Sequence, residues 1–235
     1  MFSSIDEAKS ELVGTVARLC AAAAVTAPKS GGQLFLRGKP LFIETVFIDD
    51  RETLLALARW MHQRGRERRQ AIWQRDAALA ERLDGVLFIG LKDWYPPIYD
   101  CGACGFATCA EFMEATRKRR ADSDLFEFAG PQCNLRDIDL GIAVGSAVKA
   151  ASLYSVDTRC QTRIAVAARK LGLIQSEVAV ALSMTVTHKN PGFDAQMPAV
   201  DFDLPQTTPE APTGTMPVKT PDGRWHHRPD LEPEE

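Results

Sequence analysis

The sequence predicts an α+β fold in which helices flank a sheet and a small cysteine-rich module is inserted into the core. Three segments have the composition of β-strands, at residues 41–48, 85–91 and 177–184. Between and around them, apolar residues recur at helical spacing. The third observation is a stretch between the second strand and the following helix, where three cysteines fall within nine residues.

The helices of the first half are predicted from their start and stop signals. Ser4 and Glu7 have the spacing of a capping box, and Pro28 requires the first helix to end shortly before it. Asp49 and Asp50 are good N-caps for a second helix, which we expect to run to about residue 63. A charged helix is then expected over residues 66–83, with a solvated face rather than a polyanion-binding one.

The second half is predicted to contain three more helices. The first begins at Cys109, and the second, at residues 138–153, is rich in glycine and alanine and so suited to close packing. The third is expected over residues 158–171, with Asp157 as its N-cap and Gly172 ending it.

These elements predict four parts along the 235-residue chain. Residues 1–92 form the N-terminal half of the core, 93–136 the cysteine module, and 137–196 the C-terminal half. Residues 197–235 are rich in proline and acids, and we expect a disordered tail there.

The overall charge and hydropathy argue against several classes of partner. The formal net charge is −3, which gives no reason to expect nucleic-acid binding, and no apolar run is long enough to cross a membrane. The N-terminus lacks the basic segment of a signal peptide, so a cytoplasmic location is expected.

The cysteine module predicts an iron–sulfur site. Cys101, Cys104 and Cys109 are separated by two and four residues, and Cys133 follows a Gly-Pro turn that can bring it back to them. Soft thiolates in such a loop are the donors that a 4Fe-4S cluster requires. Gly102 and Gly105 follow the first two cysteines, and their backbones can adopt the unusual angles needed for close approach to sulfide. We therefore expect four ligands: Cys101, Cys104, Cys109 and Cys133.

Two other uses of these cysteines are weaker. Structural zinc sites more often use two separated C-x-x-C pairs, and disulfides need an oxidising compartment to which nothing in the sequence points. Cys20, in an apolar helical stretch, and Cys160 are expected to be buried or inert thiols.

Several motifs together resemble the bacterial and archaeal family of uncharacterised proteins containing a ferredoxin domain. The resemblance covers roughly residues 5–195. It is carried by these segments: Thr26-Ala-Pro-Lys29, Asp100-Cys-Gly-Ala-Cys-Gly105, Thr108-Cys-Ala-Glu-Phe112, Gly130-Pro-Gln-Cys133, Asp139-Leu-Gly-Ile-Ala-Val-Gly-Ser-Ala-Val-Lys149, Val156-Asp157, Arg159 and Lys189-Asn190. The cysteine motif alone is similar to the 4Fe-4S modules of corrinoid iron–sulfur proteins and ion-pumping ferredoxin oxidoreductases. Their last gap is usually shorter than the 23 residues between Cys109 and Cys133.

The order of elements also resembles a flavin nitroreductase core. That resemblance implies a three-layer-like arrangement of a sheet flanked by helices. It also implies a homodimer and FMN near the loop of residues 28–33. The groups it implies for the flavin phosphate are Ser30, Gly31, Gly32 and Lys189. The paired arginines that begin nitroreductases, and an asparagine of their loop, are missing here.

Two classes of function remain open from the sequence. One is a redox protein, an electron carrier or oxidoreductase, in which the cluster passes single electrons to a partner protein or a flavin. The other is a non-catalytic subunit or assembly module that a 4Fe-4S cluster or zinc stabilises. No Ser-His-Asp or paired-carboxylate motif is evident, so hydrolysis is disfavoured.

Overall fold

The fold is built on a four-stranded sheet with helices packed on both faces. The computed structural model describes residues 4–32, 37–39, 41–121, 127–128, 130–188, 191–194, 218–219 and 225–226. The helices are α1 (Ile5–Thr26), α2 (Arg51–Arg68), α3 (Ala71–Ala80), α4 (Cys109–Ala121), α5 (Asn134–Leu153), α6 (Thr162–Lys170) and α7 (Pro191–Asp194). The strands of the sheet are β1 (Ile43–Ile48), β2 (Gly85–Leu91), β3 (Asp157–Gln161) and β4 (Val178–Thr185).

The strands lie in the order β1-β2-β4-β3, and every neighbouring pair is antiparallel. Every residue of β2 is buried, as expected for a central strand with its apolar run of residues. Gly90 is required within it, because a Cβ there would come within 2.4 Å of the Ser176 Cβ. The three strands predicted from the sequence are confirmed to within two residues at each end.

The two faces of the sheet have separate apolar cores, which confirms an α+β fold of helix, sheet and helix layers. Alternate residues of β2 enter the two cores, as the two-residue repeat of a strand requires. On one face Leu87, Ile89 and Leu91 meet α1 and α5. On the other, Val86 and Phe88 meet α2, α3 and α6.

Helices α1 and α5 pack closely through small side chains. Ala17 and Ala24 of α1 and Ala143 and Ala147 of α5 are fully buried in the same core. The prediction of a closely packed helix is thus confirmed for its alanines. Its glycines at positions 141 and 145 lie on the outer face instead, where an added Cβ would meet nothing within 4 Å.

The boundary between α2 and α3 differs from the prediction. Helix α2 continues to Arg68, and α3 occupies only Ala71–Ala80. Gly65 lies inside α2, at the point where α3 crosses it. A Cβ on Gly65 would lie 2.7 Å from the Gln74 side-chain nitrogen, so the glycine permits this close approach. The predicted cap at Asp50 is confirmed, since its Oδ1 accepts the Thr53 N–H at 2.8 Å.

The prediction that Asp157 caps a helix is wrong. Asp157 begins the edge strand β3, in which it lies opposite Thr185, and α6 starts only at Thr162. Pairing with β4 therefore decides the structure of this segment over its local cap signal. Gly172, at φ +72°, follows the end of α6 as predicted.

The remaining predictions on organisation are only partly covered. Of the tail, only Val218–Lys219 and Trp225–His226 are described, as two short antiparallel strands β5 and β6. The rest of residues 197–235 lies outside the described residues, so the disordered tail stays a prediction. Among the helices of the described ranges, none has both the length and the apolar character needed to cross a membrane.

Candidate metal centre

The four predicted cysteine ligands come together at one end of the core. Cys101 and Cys104 lie in the loop that follows β2, Cys109 is the first residue of α4, and Cys133 is the N-cap of α5. All four line one small pocket. All six cysteines of the chain are described and free, and the pocket is not lined by Cys20 or Cys160.

The cysteine loop owes its shape to a carboxylate and two glycines. The Asp100 Oδ1 accepts the N–H of Cys109 at 2.6 Å, which closes the loop around the first three cysteines. Gly102 and Gly105 have φ values of +71° and +87°, and the Gly105 N–H donates to the Gly102 carbonyl. These are the left-handed angles predicted from the sequence, which glycine adopts at little cost.

Helix α4 begins with a capping box that fixes Cys109. The Thr108 hydroxyl accepts the Glu111 N–H, and the Glu111 carboxylate accepts the Ala107 N–H, each at 3.2 Å. Phe112 lies one turn further along, fully buried between the loop and the core.

Cys133 occupies the N-terminal end of α5. Burial raises the pKa of its thiol, whereas the backbone amides of Arg136 and Leu135 and the Arg136 guanidinium lower that pKa. Burial outweighs these groups, so the pKa of the thiol is raised overall, and metal binding at this helix N-terminus would have to displace its proton.

Aromatic and proline side chains surround the sulfurs. Phe106, Pro96 and Tyr99 line the pocket with Phe112. The Phe106 and Phe112 rings lie 5.8 Å apart, and Phe112 lies 6.0 Å from the buried Trp94. The aromatics before the cysteine loop have two roles, because Trp94 fills the core while Tyr99 borders the site.

The donor set fits a cluster. A single-ion zinc site needs its sulfurs at about 2.3 Å from one metal. In the described part of the chain, no three Cys, His, Asp or Glu side chains are grouped to hold one ion. In a four-iron cluster each thiolate binds a different iron, so the four cysteines need only surround the same space. That is how they are arranged here.

The loop implied for flavin phosphate is engaged within the protein. The Ser30 N–H and hydroxyl both donate to the Asp139 Oδ1, at 2.6 and 2.9 Å. The Gly32 N–H donates to the Lys29 carbonyl, and Gly31 and Gly32 both have positive φ. A phosphate at Ser30 would therefore compete with a carboxylate already bound there.

The fourth predicted phosphate contact, Lys189, lies outside the described residues. Lys29, which does lie in the loop, donates to carbonyls at the end of α1, including that of Ala24 at 3.1 Å. Burial lowers the pKa of the Lys29 ammonium, and the charge of Asp139 opposes that shift. Flavin binding here stays a prediction.

A buried ion pair, which was not predicted from the sequence, links this loop to the cysteine pocket. Arg136 and Asp139 are each 1% exposed, and the guanidinium Nη1 lies 2.5 Å from the Asp139 Oδ2. The Arg136 Nε donates to the Tyr95 carbonyl at 2.8 Å, and the guanidinium lies over the Phe42 ring. Two opposite charges three residues apart at the start of an otherwise apolar helix were the available signal.

Solved structures with a similar fold include a nitroreductase and an NADPH:FMN oxidoreductase. Nitroreductase A from Vibrio parahaemolyticus is 14% identical, with a TM-score of 0.43 over 75% of this chain and 59% of the other, less than two thirds of its length. The NADPH:FMN oxidoreductase from Vibrio harveyi is 15% identical, with a TM-score of 0.41 over 84% and 69%. These values are too low to carry an argument about flavin.

Family models match the cysteine module and the region after it. Residues 97–125 match the model described as "Putative Fe-S cluster", which includes Cys101, Cys104 and Cys109. Residues 129–195 match the model described as an uncharacterized protein containing a ferredoxin domain (DUF2148), and Cys133 falls in that match.

A curated relative extends the match over most of the chain. An uncharacterized protein from Archaeoglobus fulgidus is 37% identical over 188 residues, which are 79% of this chain and 93% of the relative. The chain belongs to the family of ferredoxin-domain-containing proteins with an iron–sulfur motif that the sequence motifs had indicated.

Proposed function

We propose that this protein holds one 4Fe-4S cluster through Cys101, Cys104, Cys109 and Cys133 and serves in electron transfer. The observation that carries the proposal is that these four cysteines, from one loop and the starts of two helices, line one pocket. When bound, the cluster supplies one-electron redox chemistry.

The protein side chains have three tasks in this proposal. The Asp100 hydrogen bond and the capping box of α4 hold the first three thiols, and the first turn of α5 holds the fourth. Phe106 and Phe112 exclude water from the inner side of the pocket. Cys101 is exposed, so a partner protein can approach the site from outside.

The ligand assignment is tested by serine substitution at each cysteine. We expect Cys→Ser at each of the four ligand positions to lower iron and acid-labile sulfide per chain and to bleach the visible absorbance. Cys20→Ser and Cys160→Ser are the matched controls and should keep full iron. Full iron in Cys133→Ser together with loss in Cys160→Ser would transfer the fourth-ligand role and refute the assignment.

The alternative, a metal-stabilised module without redox function, is separated by two measurements. Metal analysis of anaerobically purified protein distinguishes iron from zinc. Reduction with dithionite, followed by reoxidation, then shows whether a cluster cycles or serves folding alone. An iron cluster that is lost on one cycle would favour the structural alternative.

The predicted homodimer and cytoplasmic location belong to this proposal. The outer face of α5 exposes Ile138 and Ile142 by 49% and 40%, beside glycines that leave room for a second copy of the helix. Light scattering tests the dimer, and a monomer mass at micromolar concentration would reject it. A reducing cytoplasm is the compartment in which six free cysteines persist.

A further inference from the structure

A second pocket lies directly behind the inner wall of the cysteine pocket. It has a volume of about 230 Å³ and is open to solvent on one side, so it is a shallow site somewhat smaller than the range of about 300–1,000 Å³ typical of small-molecule pockets. Phe112 and Pro96 line both pockets, so the two spaces share a wall. None of the four cysteines lines the second pocket.

The lining of the second pocket suits a flat aromatic molecule. Tyr95 and Met113 are partly exposed and contribute an aromatic ring and a polarisable thioether, whereas Trp94 and Phe112, 2% and 1% exposed, close its inner end. The Thr116 hydroxyl donates to the Phe112 carbonyl at 2.8 Å, so it adds little polar demand of its own. The pocket thus offers a mostly apolar surface on which Tyr95 is the accessible aromatic residue.

One cation at the rim sets the charge of the ligand. Arg117 lines the pocket and is 80% exposed at its side chain, with a single 3.4 Å contact to Glu114. Such an exposed pair is worth little, so the guanidinium can be given up to a ligand at small cost. Guanidinium groups both stack on aromatic rings and bind sulfonates, phosphates or carboxylates with paired hydrogen bonds.

The position of the pocket indicates what such a molecule would be for. The rings of Phe106, Phe112 and Trp94 form a continuous row with centroid spacings of 5.8 and 6.0 Å. This row begins in the cysteine pocket and ends in the second pocket. A molecule bound there would be separated from the cysteine site by one layer of side chains, the thickness of the shared wall.

We propose that the pocket formed by Trp94, Tyr95, Phe112, Met113 and Arg117 binds a planar, aromatic, anionic and redox-active molecule. The redox part of this inference rests on the proposed iron–sulfur function. The site differs from the loop implied for flavin phosphate, since Ser30, Gly31 and Gly32 do not line it.

The test is the binding of anthraquinone-2-sulfonate to anaerobically purified protein, measured by equilibrium dialysis. Arg117→Glu replaces the cation that meets the sulfonate, and we expect its Kd to rise at least about tenfold, the effect of losing one charge-assisted hydrogen bond. Lys118→Glu is the matched control. Lys118 is also exposed and paired with Glu114 but does not line the pocket, so its Kd should change less than about threefold, the screened effect of a distant surface charge.

A second variant tests the shape of the site. Met113→Trp fills the pocket from its partly exposed side, and we expect it to abolish measurable binding while iron per chain stays unchanged. No binding to the wild-type protein at millimolar probe, or equal Kd values for Arg117→Glu and Lys118→Glu, would overturn the inference. A third outcome is anaerobically purified protein that contains no iron and still binds the probe with this variant pattern. That result would refute the iron–sulfur function and leave the binding site supported.

Discussion

The buried pair of Arg136 and Asp139 provides the sharpest test of how the core and the metal site are joined. We consider Arg136→Met, which keeps an unbranched apolar stem and removes the guanidinium with its charge. The Asp139 carboxylate would then remain 1% exposed with only the two Ser30 donors bound to it. The Tyr95 carbonyl, which the Arg136 Nε holds at 2.8 Å, would also lose its donor.

The expected magnitude follows from burial. Removing one partner of a buried ion pair costs about 3–5 kcal/mol, because the other charge is left uncompensated. In a domain of this size each kcal/mol lowers the melting midpoint by about 2–4 °C, which gives a decrease of about 6–20 °C. Because Cys133 caps the same helix turn, we also expect less iron per chain.

The control is an ion pair with the same spacing on an exposed helix. Arg117 and Glu114 are also three residues apart, and their side chains are 80% and 56% exposed. Arg117→Met should cost no more than about 1 kcal/mol, a shift below about 4 °C, with iron content unchanged. Thermal unfolding at a fixed scan rate, followed by circular dichroism, measures both variants.

Equal shifts for the two variants would refute the reasoning that Arg136 is an essential buried charge. If Arg136→Met does not accumulate as soluble protein, Asp139→Asn gives a milder form of the same test. It removes the negative charge, keeps an oxygen for Ser30, and leaves Arg136 bound to the carbonyls of Tyr95 and Ser30. Its midpoint should lie below that of the Arg117→Met control, because the buried Arg136 charge loses its carboxylate. Unfolding in urea replaces thermal unfolding where heating gives no clear transition.

Two further predictions concern single residues. Burial raises the pKa of the Cys20 thiol from 9.0 to about 11, so at pH 8 only about one molecule in a thousand carries the reactive thiolate. Cys160 is exposed, which corrects the expectation of a buried or inert thiol, although partial burial raises the pKa of its thiol too. Anaerobic treatment with iodoacetamide at pH 8 should therefore alkylate Cys160 faster than Cys20, as mass spectrometry would show. The thiolate fraction of Cys20 rises about tenfold per pH unit up to pH 11, and fast modification of Cys20 at pH 8 would contradict its burial. Gly105→Ala forces a side chain onto φ +87° and should cost about 1–2 kcal/mol with loss of iron, whereas Gly141→Ala, in an exposed helix position, should stabilise by about 0.5–1 kcal/mol. Melting midpoints that move in the same direction would count against the assigned backbone role of Gly105.

The parts of the fold that the sequence predicted well are those with strong local signals. Strand β2 is an unbroken apolar run after a glycine, and α1 lies between a cap at Ser4 and a proline at position 28. The positive φ of Gly102 and Gly105 was likewise readable, because glycines next to closely spaced thiols have few other uses.

The elements that were missed are those that depend on distant partners. Strand β3 forms at an edge, where pairing with β4 supplies the hydrogen bonds that the local sequence does not call for. Helix α2 was expected to end near residue 63, yet it continues past Gly65, where an added Cβ would come within 3.0 Å of side-chain atoms of α3. For β3 the deciding contacts are made by residues 181–185, which no local window around residue 157 contains.

The same reasoning explains which half of the site was visible beforehand. The proposed metal ligands are cysteines at restricted spacings, so residue type and spacing alone point to them. The residues around them have no such restriction: Phe112 joins two pockets only because α4 turns it inward, and Arg136 reaches Tyr95 only because α5 starts beside the cysteine loop. Sequence therefore points to the proposed donors of this site, whereas the fold is needed to show that an aromatic wall separates them from a second pocket.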